Sequence, residues 1–389
     1  MRSPEATAEA RRSLEICNAC RYCEGFCAVF PAMELRSSFG DGDLNYLANL
    51  CHNCRACYYA CPYTSPHEFD LNVPRALAEL RAETYEAYAW PEPMAALFRR
   101  NGTFVSVLST VCMALALLLT SWLQSPAALS RHEAGPGAFY RVIPEGVMTS
   151  VALVTVLFSA LALGISVARF WRDIGGGNAA NVRTLGVALW DVLTLRNLGN
   201  DGLGCNDRGE GYSQARRRFH HAVFYGFLLC ATSTTVAAVY DHLLGRAAPY
   251  PLLSLPVLLG TAGGIGMTVG AAGLLWLKRT GDPEPAAVRP LRGEYALLVL
   301  LLLVAASGLA LLVLRDTPAM GILLAVHLGA VLSFFVTAPY SKFVHGIYRS
   351  AALLRSAHER RAISLAGADL RELRTTKSSS TSQRGQPRS

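Results

Sequence analysis

The chain has 389 residues, of which 52% are hydrophobic and 16% charged, and carries a formal charge of +8. It is too long for one small domain and too oily for an ordinary soluble protein. Eight of the eleven cysteines, gathered in the first 61 residues behind a polar, charged stretch, read as metal ligands in a reducing compartment, not as disulfides. The positive charge sits in loops and the tail, so it reads as membrane topology and argues against nucleic-acid binding.

Residues 1–100 are ordinary in polarity, with 10 Lys/Arg against 13 Asp/Glu. Within them lie two cysteine runs of identical spacing. One is Cys17, Cys20, Cys23 and Cys27; the other is Cys51, Cys54, Cys57 and Cys61, followed by Pro62. Gaps of two, two and three residues let successive thiolates reach adjacent corners of an iron–sulfur cube, and in two-cluster proteins the fourth cysteine of each run crosses over. The expectation is two [4Fe–4S] clusters, one on Cys17, Cys20, Cys23 and Cys61, the other on Cys51, Cys54, Cys57 and Cys27. Ala28 stands where the first run would carry its proline. A pair of zinc sites is the alternative, but zinc usually takes two close pairs.

Between the runs, Asp41 and Asp43 followed by Leu44, Tyr46, Leu47 and Leu50 predict a capped helix. Pro74 and the periodic apolar residues of 75–88 predict an amphipathic helix. No strand pattern is evident. The fold class expected is therefore all-α: a helical two-cluster ferredoxin-like domain over 1–100, then a membrane bundle over 101–350, then a largely disordered tail over 351–389. Ser, Thr and Arg dominate the last part, 365–389.

Six apolar stretches follow, at about 103–123, 147–170, 219–244, 253–277, 294–314 and 319–341, each long enough to cross roughly 30 Å of hydrocarbon. The second and fourth connections carry twelve Lys/Arg, whereas the first, third and fifth carry only Arg131, Arg141, Arg246 and Arg315. The positive-inside rule then places both termini in the cytoplasm of a bacterium, with the protein in its inner membrane. The second connection, 171–218, is long enough to suggest a docking role, and helix 75–88 is a second expected docking surface by its cytoplasmic location.

Histidines bracket two of these spans. His220 and His221 open the third and His242 closes it; His327 lies inside the sixth and His345 just beyond it. The 18 residues from His327 to His345 make five helical turns, and the 22 from His220 to His242 make about six, so each set shares a face. An imidazole inside a span is costly and marks function. With the two spans antiparallel, histidines would face each other at both surfaces, the arrangement of a bis-imidazole b haem. One or two haems are expected, with Arg217, Arg218, Lys342 and Arg349 near the inner propionates. Cys112 and Cys230 lie in spans as packing residues, and Cys205 is a loop thiol without an assigned purpose.

No dinucleotide fingerprint, Walker loop or nucleophile–base set is present. Gly264 and Gly266 lie inside a span and read as helix-packing positions. Substrate chemistry is thus expected on a partner flavoprotein, since flavins join two-electron substrates to one-electron carriers.

Four blocks carry a resemblance: Leu50-Cys-His-Asn-Cys-Arg-Ala-Cys-Tyr-Tyr-Ala-Cys61, Pro66-His-Glu-Phe69, Arg217-Arg-Phe-His-His-Ala-Val-Phe-Tyr-Gly-Phe227 and Pro339-Tyr-Ser-Lys-Phe-Val-His-Gly-Ile-Tyr-Arg349. Over about residues 13–355 the chain resembles the tricarballylate/citrate-utilisation protein B family, and more loosely cytochrome b subunits. The resemblance implies a membrane electron-transfer subunit. It would reoxidise the FADH2 of a tricarballylate dehydrogenase, a cytoplasmic flavoprotein, and pass electrons through the clusters and haem to quinone. The alternatives are a quinol-driven donor to a reductase, and a tricarboxylate transporter. The latter lacks the repeated halves and broken helices such proteins show.

Overall fold

The computed structural model describes residues 4–177, 181–199 and 202–382, with side chains at 289, 290 and 366–382 left aside. Among the described residues the secondary structure is helical apart from an isolated bridge pairing Cys205 with Ser213. Five helices build the head: α1 (Pro4–Cys20), α2 (Val29–Glu34), α3 (Asp41–Leu50), α4 (Ala56–Tyr59) and α5 (Val73–Tyr88). Their starts follow local chemistry. At α3 the Asp43 carboxylate accepts from the Gly40 amide at 3.3 Å, satisfying a donor the helix leaves unpaired. At α5 Asn72 caps the Arg75 amide at 3.1 Å, and Pro74 occupies the first turn, where no amide is needed.

Among the described residues nine further α-helices follow: α6 (Asn101–Leu123), α7 (Ala138–Val142), α8 (Glu145–Asp173), α9 (Val182–Leu193), α10 (Ala215–His242), α11 (Leu255–Thr280), α12 (Val288–Leu314), α13 (Met320–Thr337) and α14 (Val344–Ser382). Six stretches are long and apolar enough to cross a bilayer: 92–123, 145–173, 215–242, 255–280, 291–314 and 320–340. They coincide with the six expected spans to within a few residues, except that the first is preceded by the 3₁₀ turn Glu92–Arg100. The chain is a multi-pass membrane protein by this measure.

Close packing in the bundle rests on small residues. Gly226 of α10 lies against the backbones of Gly263, Gly266 and Met267 of α11, and Gly270 lies against the Phe219 carbonyl. Without aqueous exclusion to drive helices together in lipid, such backbone approach is a main source of contact. Gly264 and Gly266, read from the sequence as packing positions, face Leu309 and Ala222 respectively.

The head is not a separate bead. Its core joins Leu14, Met33, Leu44, Tyr46, Leu47, Leu50, Leu77 and Leu80 to Phe170 and Ile174 of α8 and to Val344, Tyr348, Ala352 and Leu353 of α14. Polar groups sew the same seam: Asn45 and Tyr88 donate to Asp173, and Arg36 pairs with Glu359 at 2.5 Å. Helix α5 is buried at eleven of its sixteen positions and is a core element of the head. The tail read from composition falls partly on α14 and partly on 383–389, which lie outside the described residues.

Candidate functional site

The thiols of the head gather in two groups, each drawing from both cysteine runs. Cys17 and Cys20 end α1, Cys23 follows in the turn, and Cys61 follows α4. These four line one cavity with Ile16, Tyr22, Phe30, Pro62, Tyr63 and Leu71. Left-handed backbone at Arg21 and Gly25 winds the chain around it. Burial, then the neighbouring thiols, push Cys17 and Cys23 up to about 12. In the second group Cys27, Cys51, Cys54 and Cys57 surround one another. Burial raises Cys54 to about 12 and holds Cys27 and Cys57 well above the ordinary thiol range. Cys57 also feels Cys23, so the groups adjoin. The first group opens outward through the exposed Cys20 and Tyr22.

The second group abuts the bundle. Arg81 of α5 and Arg349 of α14 both donate to the Cys51 carbonyl, at 2.5 and 2.8 Å. Burial, then Arg81, draw Arg349 down to about 10. Two residues here had no assigned role in the sequence. His52 is half-buried beside Arg349 and His220, with Nδ1 2.8 Å from the Leu50 carbonyl, and desolvation, then Arg349, keep its pKa well below normal. Its position inside the second cysteine run was the available signal. Cys205 is fully buried beside Cys54, and the Asn206 amide donates to the Cys54 carbonyl at 2.9 Å. Nothing in its spacing announced this, because the 144 residues from Cys61 to Cys205 are closed only by the fold.

The five histidines separate. His220 and His345 meet directly as an edge-to-face pair, ring centroids 6.0 Å apart, and the His345 Nδ1 lies 2.5 Å from the Lys342 carbonyl. His221 turns away, its Nε2 3.1 Å from the Thr194 carbonyl. His327 lies 3.0 Å from the Ser307 hydroxyl with its ring against Gly308. His242 is half-exposed beside Glu145 (3.5 Å) and Asp241 (3.8 Å), with Tyr140 donating to Asp241 at 2.7 Å. The four expected propionate partners have the following surroundings. Lys342 pairs with Glu294 at 2.9 Å, Arg217 donates to the Thr194 carbonyl, Arg349 holds the Cys51 carbonyl, and Arg218 is exposed.

These positions correct the cofactor expectation. Among the described residues, the group of three or more potential ligands whose atoms converge to within 4.8 Å is Glu145, Asp241 and His242, which contains no cysteine. Neither four-cysteine set converges in this way among the described residues. The outer histidine pair fails because His242 is turned to carboxylates and His327 to Ser307. The two [4Fe–4S] clusters and the one or two b haems are therefore not carried by this geometry.

Comparison with known proteins places the whole chain. The family model described as citrate utilization protein B matches residues 97–366, and one described as the citrate utilization protein B Fer4-like domain matches residues 10–87. A protein of Escherichia coli named citrate utilization protein B is 47% identical over 362 residues, covering 92% of this chain and 93% of its own length. No solved structure matches. Two matched models in the expected order, together with a near full-length relative, are the family that the four sequence blocks resemble; the chain belongs to the citrate utilization protein B family.

Proposed function

We propose that this protein is a redox subunit that takes reducing equivalents from a cytoplasmic flavoprotein and delivers them to quinone in the bilayer, in the use of an organic acid such as citrate or tricarballylate. The net reaction balances: the flavin gives up two electrons and two protons, and the quinone takes up two of each. The observation that carries the reading is the run of eight head thiols, which reaches from an exposed edge at Cys20 to the bundle surface at Cys51.

In this reading the flavoprotein docks on the face bearing Cys20, Tyr22 and Phe69, which are exposed. His52, Arg349, His220 and His345 form the junction between head and bundle. Both ends of the chain, and the head, lie in the bacterial cytoplasm, because the basic connections fall on that side.

The test is quinone reduction by proteoliposomes of the full chain supplied with a reduced flavoprotein of the tricarballylate dehydrogenase type. We expect turnover with the natural chain and a loss of at least about tenfold in Cys20→Ser and Cys57→Ser, on the scale of removing one essential redox group. Equal turnover in liposomes without the protein, or in both variants, overturns the reading.

A further inference from the structure

Helix α9, in the long second connection, has its chemistry inside out. Its buried positions, 184, 188 and 191, recur at helical spacing and include a threonine and an aspartate; Asp191 pairs with Arg360 of α14 at 2.8 Å. The opposite side shows Val182 (83% exposed), Leu185 (56%), Leu189 (54%) and Trp190 (65%). A helix on a water-facing protein shows the reverse, apolar inward and polar outward. An apolar stripe capped by tryptophan is what the boundary between headgroups and acyl chains accommodates.

The position of the helix agrees with that occupant. Its last carbonyls are tied to the first turns of the third span: Thr194 accepts from Arg217 at 2.8 Å and lies 3.1 Å from His221, and Leu193 accepts from the Tyr225 hydroxyl at 2.7 Å. Tyr225 lies ten residues into α10, about 15 Å along its axis at 1.5 Å per residue. Tyr225 and Leu228 are themselves exposed on the lateral surface of the bundle. The apolar side of α9 thus continues the lipid-facing belt of the span to which it is pinned.

We propose that α9 is an interfacial helix lying in the leaflet on the head side, with Leu185, Leu189 and Trp190 inserted among the acyl chains and Asp191 anchored to α14. The long connection is then a membrane float, and a soluble partner does not dock on this helix. Exposed leucine and tryptophan would otherwise face water beside a membrane, at about 25 cal/mol for each Å² of apolar surface left wet.

The experiment places the full chain in nanodiscs of ordinary lipid or of lipid brominated near the top of its acyl chains. The fluorescence lost on Trp190→Phe isolates the Trp190 signal from the other four tryptophans. We expect brominated lipid to cut that component about twofold or more, and aqueous acrylamide to affect it little, as for a ring buried some 5–10 Å into the interface. Leu185→Trp in the Trp190→Phe background should restore a lipid-quenched signal, and does so independently of whether position 190 tolerates substitution. Quenching of both reporters by acrylamide with no response to brominated lipid overturns the proposal. So does protection from both quenchers in particles that hold two copies of the chain, which would make the face a dimer contact.

Discussion

At the level of single residues, charge is buried at the seam between head and bundle and must be compensated there. Glu294 of α12 is bracketed by Lys278 of α11 and by Lys342 in the turn before α14. Glu294→Gln would leave two partly buried ammonium groups with no carboxylate, at a cost of about 1–3 kcal/mol, below that of breaking a fully buried pair. We expect that variant to lose most of its folded yield in detergent, while Glu294→Asp keeps part of it. Asp43 offers a pH test. Burial alone would raise its carboxyl, but Arg36 and Arg355 outweigh burial and hold it below the usual range. Its contribution is therefore complete above the ordinary carboxylate value of about 4 and fades as pH falls through its lower folded value. The stability gap between the natural chain and Asp43→Asn, measured by thermal melts, should be widest near neutrality and close in acid. A gap independent of pH would contradict the pairing.

At the level of elements, the contact of α10 with α11 depends on missing side chains. A methyl group at Gly270 would sit 2.7 Å from the Phe219 carbonyl, and at Gly226 2.6 Å from the Met267 amide. These neighbours are backbone and cannot swing aside. Gly270→Ala should cost about 1–3 kcal/mol, the usual range for overpacking, whereas Gly146→Ala in α8, with open space around it, should be neutral or slightly stabilising. Reconstitution yield and melting of the two variants compare them directly. Six spans, the α3 and α5 starts and the packing glycines were legible in the sequence, because length, hydropathy and capping act locally. The placement of α9 was not. Its pattern is amphipathic either way up, and only its tie to Thr194 and α14 shows which side is inward. The neighbours of the histidines were hidden for a related reason. The antiparallel order of the spans put His220, His221 and His345 on one side of the bundle, and helical phase put His220 with His242, yet neither could show that His242 turns to Glu145 or that Ser307 meets His327, since those depend on the rotation of other helices.

At the level of the whole molecule, the division into a head of 1–100 and a bundle understates how much they share. Phe170, Ile174, Tyr348 and Leu353 belong to the same core as Leu14 and Leu47. A fragment of 1–100 would expose the apolar faces that α8 and α14 cover. We expect that fragment to melt without a cooperative transition and to bind hydrophobic dyes, and a sharp transition in circular dichroism would show the head to be self-sufficient. Local turns bring Cys17, Cys20 and Cys23 together and likewise Cys51, Cys54 and Cys57, whereas Cys61 and Cys27 join the opposite runs through the fold. Spacing could not reveal that His52 and Cys205 join them, since one is silent in a ligand count and the other arrives from the far side of two spans.

The grip of Arg349 on the Cys51 carbonyl has an evolutionary reading. A side chain from the last helix reads the main chain of the second cysteine run, so neither end of the gene can drift in shape without the other following. Hybrids that splice the first hundred residues of the Escherichia coli relative onto this bundle inherit a joint shaped by two separate lineages. Such hybrids should recover function only when α14 and the end of α8 are exchanged along with the head.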